Sequence, residues 1–501
     1  MAEKREALPV SESYFTEETF GETVFSDVSE EFSLPEYEPE IKKILRVTAR
    51  VLPAGKYVGG GRAEFAGTVV YGVIYCGAEG EIAGVTLSSD YEFAVPVLQA
   101  EREPAVYADT RADSVVCRPL APRRLQLRTK LKSKVEMLCR ASACGCESPE
   151  DACLLRSVRS ASRRMRLTGG EFDVAGDIKL RGKPIACDGS VAVTEIRAER
   201  GSIFCRGELW ARVTCADGGL YTAEKRIPFE RRFEADVTGT EECRAIPFCW
   251  SCECTGEGEN GEISAIIEVE AECVVSFPVP ITKDAFVCGA ECIAERRKTE
   301  LSAVRYCGIG RVNISGKRLL SSEESGLSSV CAPWYEVAVD QSPVGGDGTV
   351  SGTVFVHCIL ADDKGDAAPA RVEMPFRSVL CDTSVGKLAR SVSADISALR
   401  VYVEGGSLCA EGELWISAVI TEKTQDETVC SVKAQAADAS PKKGGITVVY
   451  PQKGDTLWSI AKRRRISPEA LCEMNGMDEG RSADPNAAGS LDGVKCIAIM
   501  K

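Results

Sequence analysis

Cysteine and histidine set the first limits on chemistry, with 24 Cys and a single His in 501 residues. Zinc takes four tetrahedral thiolate or imidazole ligands, commonly as two separated C-x-x-C pairs. Cys243, Cys249, Cys252 and Cys254 form the densest cluster, with Cys139, Cys144, Cys146 and Cys153 as a second group. Only Cys249 and Cys252 have the C-x-x-C spacing, and no second pair completes a set. The expectation is thiols and no metal. Cys76, Cys205, Cys273 and Cys409 stand at strand-like positions, where free Cys behaves as a small buried hydrophobe.

Catalytic sets do not assemble. His357 sits inside an apolar strand-like run, so a Ser or Cys nucleophile has no second base to choose from. Neither G-x-x-x-x-G-K-[ST] nor H-E-x-x-H occurs. Gly59-Gly60-Gly61 is a turn with no helix behind it to cradle phosphate. Glu30-Glu31 lies in an acidic stretch where solvation is the ordinary state. The chain reads as a non-enzyme without a cofactor.

Charge is uneven along the chain. Residues 1–40 hold twelve Asp or Glu against two Lys or Arg, while 441–501 hold ten basic against seven acidic. An acidic body is a poor match for nucleic acid, which needs a basic face. Lys462-Arg463-Arg464-Arg465 suits a helix C-terminus, where cations complement the dipole, and can also meet an acidic partner. No apolar run reaches the roughly 18 residues that span a bilayer. Met1 to Glu6 is charged with no apolar segment behind it, so no signal peptide is expected and the cytoplasm is the expected compartment.

The elements that position these residues come next. Near the end, Ile446 to Tyr450 alternates as a strand and runs into a Gly454 turn. Asp455 or Thr456 then caps a helix with Leu457, Ile460 and Ala461 on one stripe. Trp458 belongs with that stripe more than with a stacking platform. Ser467 caps a second helix, with Pro468 at its first position, Leu471 inside and Asn475-Gly476 at its end. Val494 to Met500 reads as the closing strand.

The body is repetitive. Gly201 to Trp210 and Gly406 to Trp415 share the frame G-S-apolar-x-x-x-G-E-L-W, which argues for internal duplication. Odd positions from Ile203 to Val213 make one apolar face, so this is a half-buried strand. Gly207 and Gly412 inside it imply a bulge or a close backbone contact. Related glycine strands start at Arg62 and Gly348, and each of three is followed by a Phe beside Pro: Phe93 near Pro96, Pro228-Phe229 and Pro375-Phe376. Lead-ins at Phe25–Pro39, Phe172–Pro184 and Val312–Leu320 precede them, and closing strand pairs at Arg123–Met137, Ile263–Val275 and Ala394–Ile420 follow. Helices are expected at the junctions, one capped by Ser148 with Leu154, Val158 and Ala161 on one side, another over Thr282–Tyr306. Ala434–Gly445 reads as a flexible tether.

The expected fold is therefore mainly β: three tandem sandwich- or barrel-like repeats and a small βααβ module. The boundaries are an acidic arm 1–12, repeats at 13–146, 147–285 and 286–432, a linker 433–445 and the module 446–501. Strand–helix–helix–strand with G-D-T-L-W-S-I-A at Gly454–Ala461 resembles a LysM module, whose loop Asp478–Ser490 is longer than usual. The strings L-P-E-Y-E-P-E-I-K-K-I-L (Leu34–Leu45) and R-P-L-A-P-R-R-L-Q-L (Arg118–Leu127) resemble SPOCS repeats, once grouped as the domain of unknown function DUF3794 in spore-forming Firmicutes.

Repeated SPOCS units with one C-terminal LysM are similar to a clostridial spore-coat morphogenetic family. That resemblance implies a non-enzymatic coat-assembly scaffold in the mother-cell cytoplasm. It would link the basement layer to the forespore surface, dock the coat basement-layer ATPase and other coat proteins, and self-associate. The implied site is Gly454, Asp455, Thr456, Leu457 and Trp458, with Lys462, Arg463, Arg464 and Asn475 beside it. The alternative it leaves open is binding of peptidoglycan or other N-acetylglucosamine polymers of wall or cortex. Gly454–Thr456 would form one groove wall and the segment after Asn475 the other.

Overall fold

The computed structural model describes residues 14–97, 104–142, 145–322, 324–340, 348–362, 367–382, 387–435, 445–477, 491 and 494–500. The expected arm 1–12, Cys144, most of the linker and the loop 478–490 lie outside them.

Alternation of apolar and polar side chains builds the body. In the strand Ala367–Cys381, Ala370, Val372, Met374 and Phe376 are buried while Arg371, Glu373, Pro375 and Arg377 face out. A half-buried strand has this signature.

The first set of strands runs β1 (Tyr14–Ser33), β2 (Ile41–Val51), β3 (Gly55–Gly59), β4 (Arg62–Gly77), β5 (Ile82–Pro96), β6 (Ala105–Ala121) and β7 (Arg124–Ser142). One sheet has the order β1-β7-β6, and β2, β3 and β5 all pair with β4 in the other. The second set is β8 (Ala152–Lys179), β9 (Lys183–Glu199), β10 (Ser202–Ala216), β11 (Leu220–Glu234), β12 (Glu242–Glu257) and β13 (Asn260–Val287). The third is β14 (Glu291–Leu319), β15 (Ser329–Val339), β16 (Gly348–Ala361), β17 (Ala367–Cys381), β18 (Lys387–Glu404) and β19 (Ser407–Gln435).

One grammar governs all three sets. The first strand pairs antiparallel with the last, the last with the one before it, and the strands between form a meander. Where the first strand ends, a leucine N–H reaches the start of the closing hairpin: Leu34 to Arg123, Leu180 to Glu259 and Leu320 to Gly406, at 2.8–3.0 Å. The three lead-ins read from sequence sit at these positions.

A second repeated device lies in the middle strand of each meander. Gly67, Gly207 and Gly352 stand directly opposite Tyr91, Phe229 and Phe376. A Cβ on Gly352 would come within 2.2 Å of the Ala338 carbonyl oxygen and 2.7 Å of the Phe376 ring. The ring thus occupies the space a side chain would need. In the second and third sets the facing ring is the Phe beside Pro noted in the sequence. In the first set Tyr91 takes the role, and Phe93 instead stacks on Phe65 with centroids 5.0 Å apart.

Two expectations are corrected. Residues 152–179, 260–287 and 291–319 are strands, not junction helices. Ala161 is fully buried and Val158 is 64% exposed, so the supposed helical stripe falls on both faces of a strand. The shared G-S frame marks the turn and return strand of a hairpin, not an equivalent place in a repeat. Its first copy is β10, the centre of a meander, whereas its second opens β19, the closing strand of the other sheet. Gly207 sits at a bulge, as read, and a Cβ on Gly412 would lie 2.8 Å from the Ala398 carbonyl oxygen.

The sets share their cores. Phe15 of the first, Ala161, Val279 and Ile281 of the second and Leu301 of the third make one apolar cluster. Trp210 of β10 packs into the core of the third set. Beside them lies a buried charge network. Arg164 bridges Glu136 at 2.8 Å and Glu272 at 2.5 Å, while Arg244 binds Glu272 at 2.6 Å and reaches Ser391 and the Ser417 carbonyl. Burial opposes ionisation of Glu272, but Arg164, Arg244 and Arg166 outweigh it and hold its carboxyl well below the usual carboxylate range.

Candidate binding site

The terminal module folds from local signals. Strand β20 (Ile446–Val449) pairs antiparallel with β21 (Ile497–Met500), and helices α1 (Leu457–Arg464) and α2 (Pro468–Asn475) lie between them in sequence. Between β20 and α1 the chain turns through Gly454, at φ 92°. The Asp455 N–H donates to the Gln452 carbonyl at 2.9 Å, and the Asp455 carboxylate accepts from the Gln452 N–H at 3.0 Å.

Of the two candidate caps, Thr456 takes the role. Its Oγ1 accepts from the Ser459 N–H at 3.1 Å, and the Ser459 hydroxyl accepts from the Thr456 N–H at 2.9 Å. Ser467 caps α2, Pro468 opens it and Gly476 closes it in the left-handed conformation. Leu457, Ile460, Ala461, Leu471, Ile497 and Ile499 form the core of the module.

That core is completed from outside. Phe286, on β13, joins it and meets the Trp458 ring edge-to-face with centroids 5.0 Å apart. The Trp458 indole N–H donates to Asp284 at 2.9 Å, and Lys462 Nζ contacts both Asp284 oxygens at 2.6 and 2.7 Å. Arg465 pairs with Glu291 at 2.5 Å, and its carbonyl accepts from the Gly289 N–H at 2.9 Å. Burial alone would raise the Asp284 pKa. Hydrogen bonds from Lys462 and Trp458 reverse this and lower it.

The module therefore sits on the β13–β14 turn. Residues 434 and 435 belong to β19, and 436–444 lie outside the described residues.

The predicted site residues divide accordingly. Gly454, Asp455 and Thr456 share one turn, whose Gln452, Lys453 and Gly454 are exposed. Arg463 joins it by pairing with Asp455 at 2.7 Å. Leu457 is core, at 2% exposure. Trp458 and Lys462 face the body. Arg464 lines a pocket with Gly289, Arg465, Ile466 and Met500 at the seam. Asn475 holds α2 to β21: its amide donates to the Leu471 and Ala498 carbonyls at 2.8 Å and accepts from the Ala498 N–H at 2.7 Å. The second groove wall falls within residues not described.

Asp284, Phe286 and Glu291 are the binding-module contacts that sequence reasoning missed. They lie some 174 residues from their partners, in a stretch read as a helix, and carry no local signal.

The cysteines and histidine separate from this site. Cys243 faces Cys273 in one core cluster, while Cys252 faces Cys187 in another, so the Cys243–Cys254 group is not brought together. Among the described residues, no group of three or more Cys, His, Asp or Glu is placed to hold a metal ion. His357 stacks on Trp334 at 4.9 Å, and burial, with Arg371 nearby, lowers its pKa to about 4. No helix among the described residues is long and apolar enough to cross a membrane.

Comparison with known proteins found no matching curated protein and no matching solved structure. One family model matches, that of the LysM domain over residues 452–483, so the turn, both helices and their caps belong to a LysM domain, a module that binds N-acetylglucosamine polymers or proteins.

Proposed function

We propose that this chain is a non-enzymatic assembly scaffold whose LysM domain docks a protein partner. The setting suggested by the SPOCS-like strings is the spore coat. There the chain would stand at the forespore surface in the mother-cell cytoplasm and bind the coat basement-layer ATPase.

The observation that carries the scaffold reading is the mounting of the LysM domain. Asp284 holds Trp458 and Lys462 against the body, so the domain has a set orientation on it. Among the described residues the turn leaves Gln452, Lys453 and Gly454 exposed, with Arg463 paired to its Asp455. A fixed platform with an exposed turn suits placement of a partner better than turnover of a substrate.

The test uses the full chain and a Gly454→Val variant, since a β-branched residue is strained at φ 92° and reshapes the turn. Immobilised wild type is expected to retain the ATPase, the variant to lose it, and N-acetylglucosamine hexamer to give no binding heat. Hexamer binding that the variant abolishes, without ATPase retention, would replace this reading with glycan recognition.

A further inference from the structure

Cys187–Cys252, Cys243–Cys273 and Cys153–Cys288 approach each other closely among the described residues, and the first differs from the other two in its surroundings. Cys187 on β9 and Cys252 on β12 belong to different sheets of the second set, yet their sulfurs are 3.4 Å apart. The hollow that holds Cys252, with Cys249 beside it, is made by Gly189. A Cβ there would meet Cys252 Cβ at 2.8 Å, Cys249 Sγ at 2.9 Å and Cys252 Sγ at 3.1 Å.

Arg50 enters from β2 of the first set, its guanidinium donating to Cys249 Sγ at 3.8 Å. Arg212 and Asp188 stand close by: they face each other across β10 and β9, and Arg46 pairs with Asp188. The other two pairs have acidic company. Cys243–Cys273, at 3.3 Å, has Glu241 and Glu242 nearby, and Cys153–Cys288, at 3.5 Å, has Asp151 and Glu469.

We infer that Cys187 and Cys252 form a redox-active dithiol that small hydroperoxides close to a disulfide, with Cys252 as the attacking sulfur. The hydrogen bond between Cys187 and Cys252 lowers the Cys252 pKa. Burial opposes this, and Arg50 adds to the lowering. Thiolate is the nucleophile, so this sulfur reacts ahead of those whose pKa burial raises. Cys243 is lowered likewise by its hydrogen bond with Cys273, but Glu241 and Glu242 stand against it where Arg50 and Arg212 favour Cys252. Burial pushes Cys153, by contrast, up to about 12.

The Cys252 thiolate attacks one peroxide oxygen, breaks the O–O bond and releases hydroxide, which takes up the thiol proton as water. The resulting sulfenic acid is attacked by Cys187, which forms the S–S bond and releases a second water. Two thiols and one hydrogen peroxide thus give one disulfide and two waters. The product closes a loop between positions 65 apart and staples the two sheets of the second set together.

Hydrogen peroxide added to the reduced full-length protein tests this. Titratable thiols, counted in denaturant, should first fall by two from 24, and a non-reducing peptide map should join Cys187 to Cys252. The melting temperature should rise and return with dithiothreitol. Cys187→Ser should cut this first loss from two thiols to one and leave a dimedone-reactive sulfenic acid at Cys252, with Cys187→Ala as the substitute should the serine disturb folding. Arg50→Gln should slow closure several-fold. A first disulfide at either other pair, or thiol loss indifferent to Cys187, would overturn the assignment.

Discussion

At the scale of single residues, Glu272 is the most consequential side chain in the body. It is wholly enclosed and neutralises arginines from β8 and β12. Removing one partner of a buried ion pair leaves an uncompensated charge, so Glu272→Gln should cost about 3–5 kcal/mol in denaturant unfolding at neutral pH. The sign of its pH dependence follows from its depressed pKa. Its contribution is complete above the unfolded carboxyl pKa of about 4.3 and is lost as pH falls towards the lower folded value. Stability plotted against pH should therefore fall less steeply below about pH 4 in the Gln variant. None of this was legible in the sequence, where Glu272 alternates with apolar neighbours and looks like a solvent-facing position. Its partners lie about 30 and 110 residues away, and only the pairing of β13 with β8 and β12 brings them together.

At the scale of elements, legibility followed how local the cause was. Thr456, Ser467, Pro468 and Gly476 punctuate α1 and α2 through hydrogen bonds that span a few residues, and the sequence shows them directly. The strand alternation of β10 and β16 was equally plain. The supposed helix beginning near Ser148 failed because pairing with β13 along the whole of β8 overrides a chance apolar spacing. The glycine–aromatic pairs were half visible: the residues recur, but which aromatic faces which glycine is a matter of register. These pairs also make a sharp test. Gly352→Ala puts a methyl group against the Ala338 carbonyl and the Phe376 ring and should destabilise by about 1–3 kcal/mol. Gly326→Ala, with nothing within 4 Å and no left-handed backbone, should change stability by less than about 0.5 kcal/mol. Equal melting curves for the two variants would show that the aromatic does not fill the glycine's space.

At the scale of the whole molecule, the three sets are fused through Phe15, Leu301 and the Arg244 contacts, and the LysM domain is held at their edge by Asp284. Asp284→Ala removes the acceptor for Trp458 and the counter-charge for Lys462. Amides of α1 should then exchange faster, and the Trp458 emission, identified by difference from a Trp458→Phe variant, should move to longer wavelength. Unchanged exchange would mean that Phe286 and the Arg465 contacts hold the domain without it. The pairing of first strand with last has a separate consequence, for the chain as it is made. Tyr14 finds Ser142, Ala152 finds Val287 and Glu291 finds Gln435. Each opening strand must therefore wait on the order of ten seconds of ribosomal synthesis for its partner, its backbone meanwhile unmatched and open to neighbouring nascent chains. Yield should then depend less on the finished protein's stability than on how fast translation runs and on which chaperones guard those intervals.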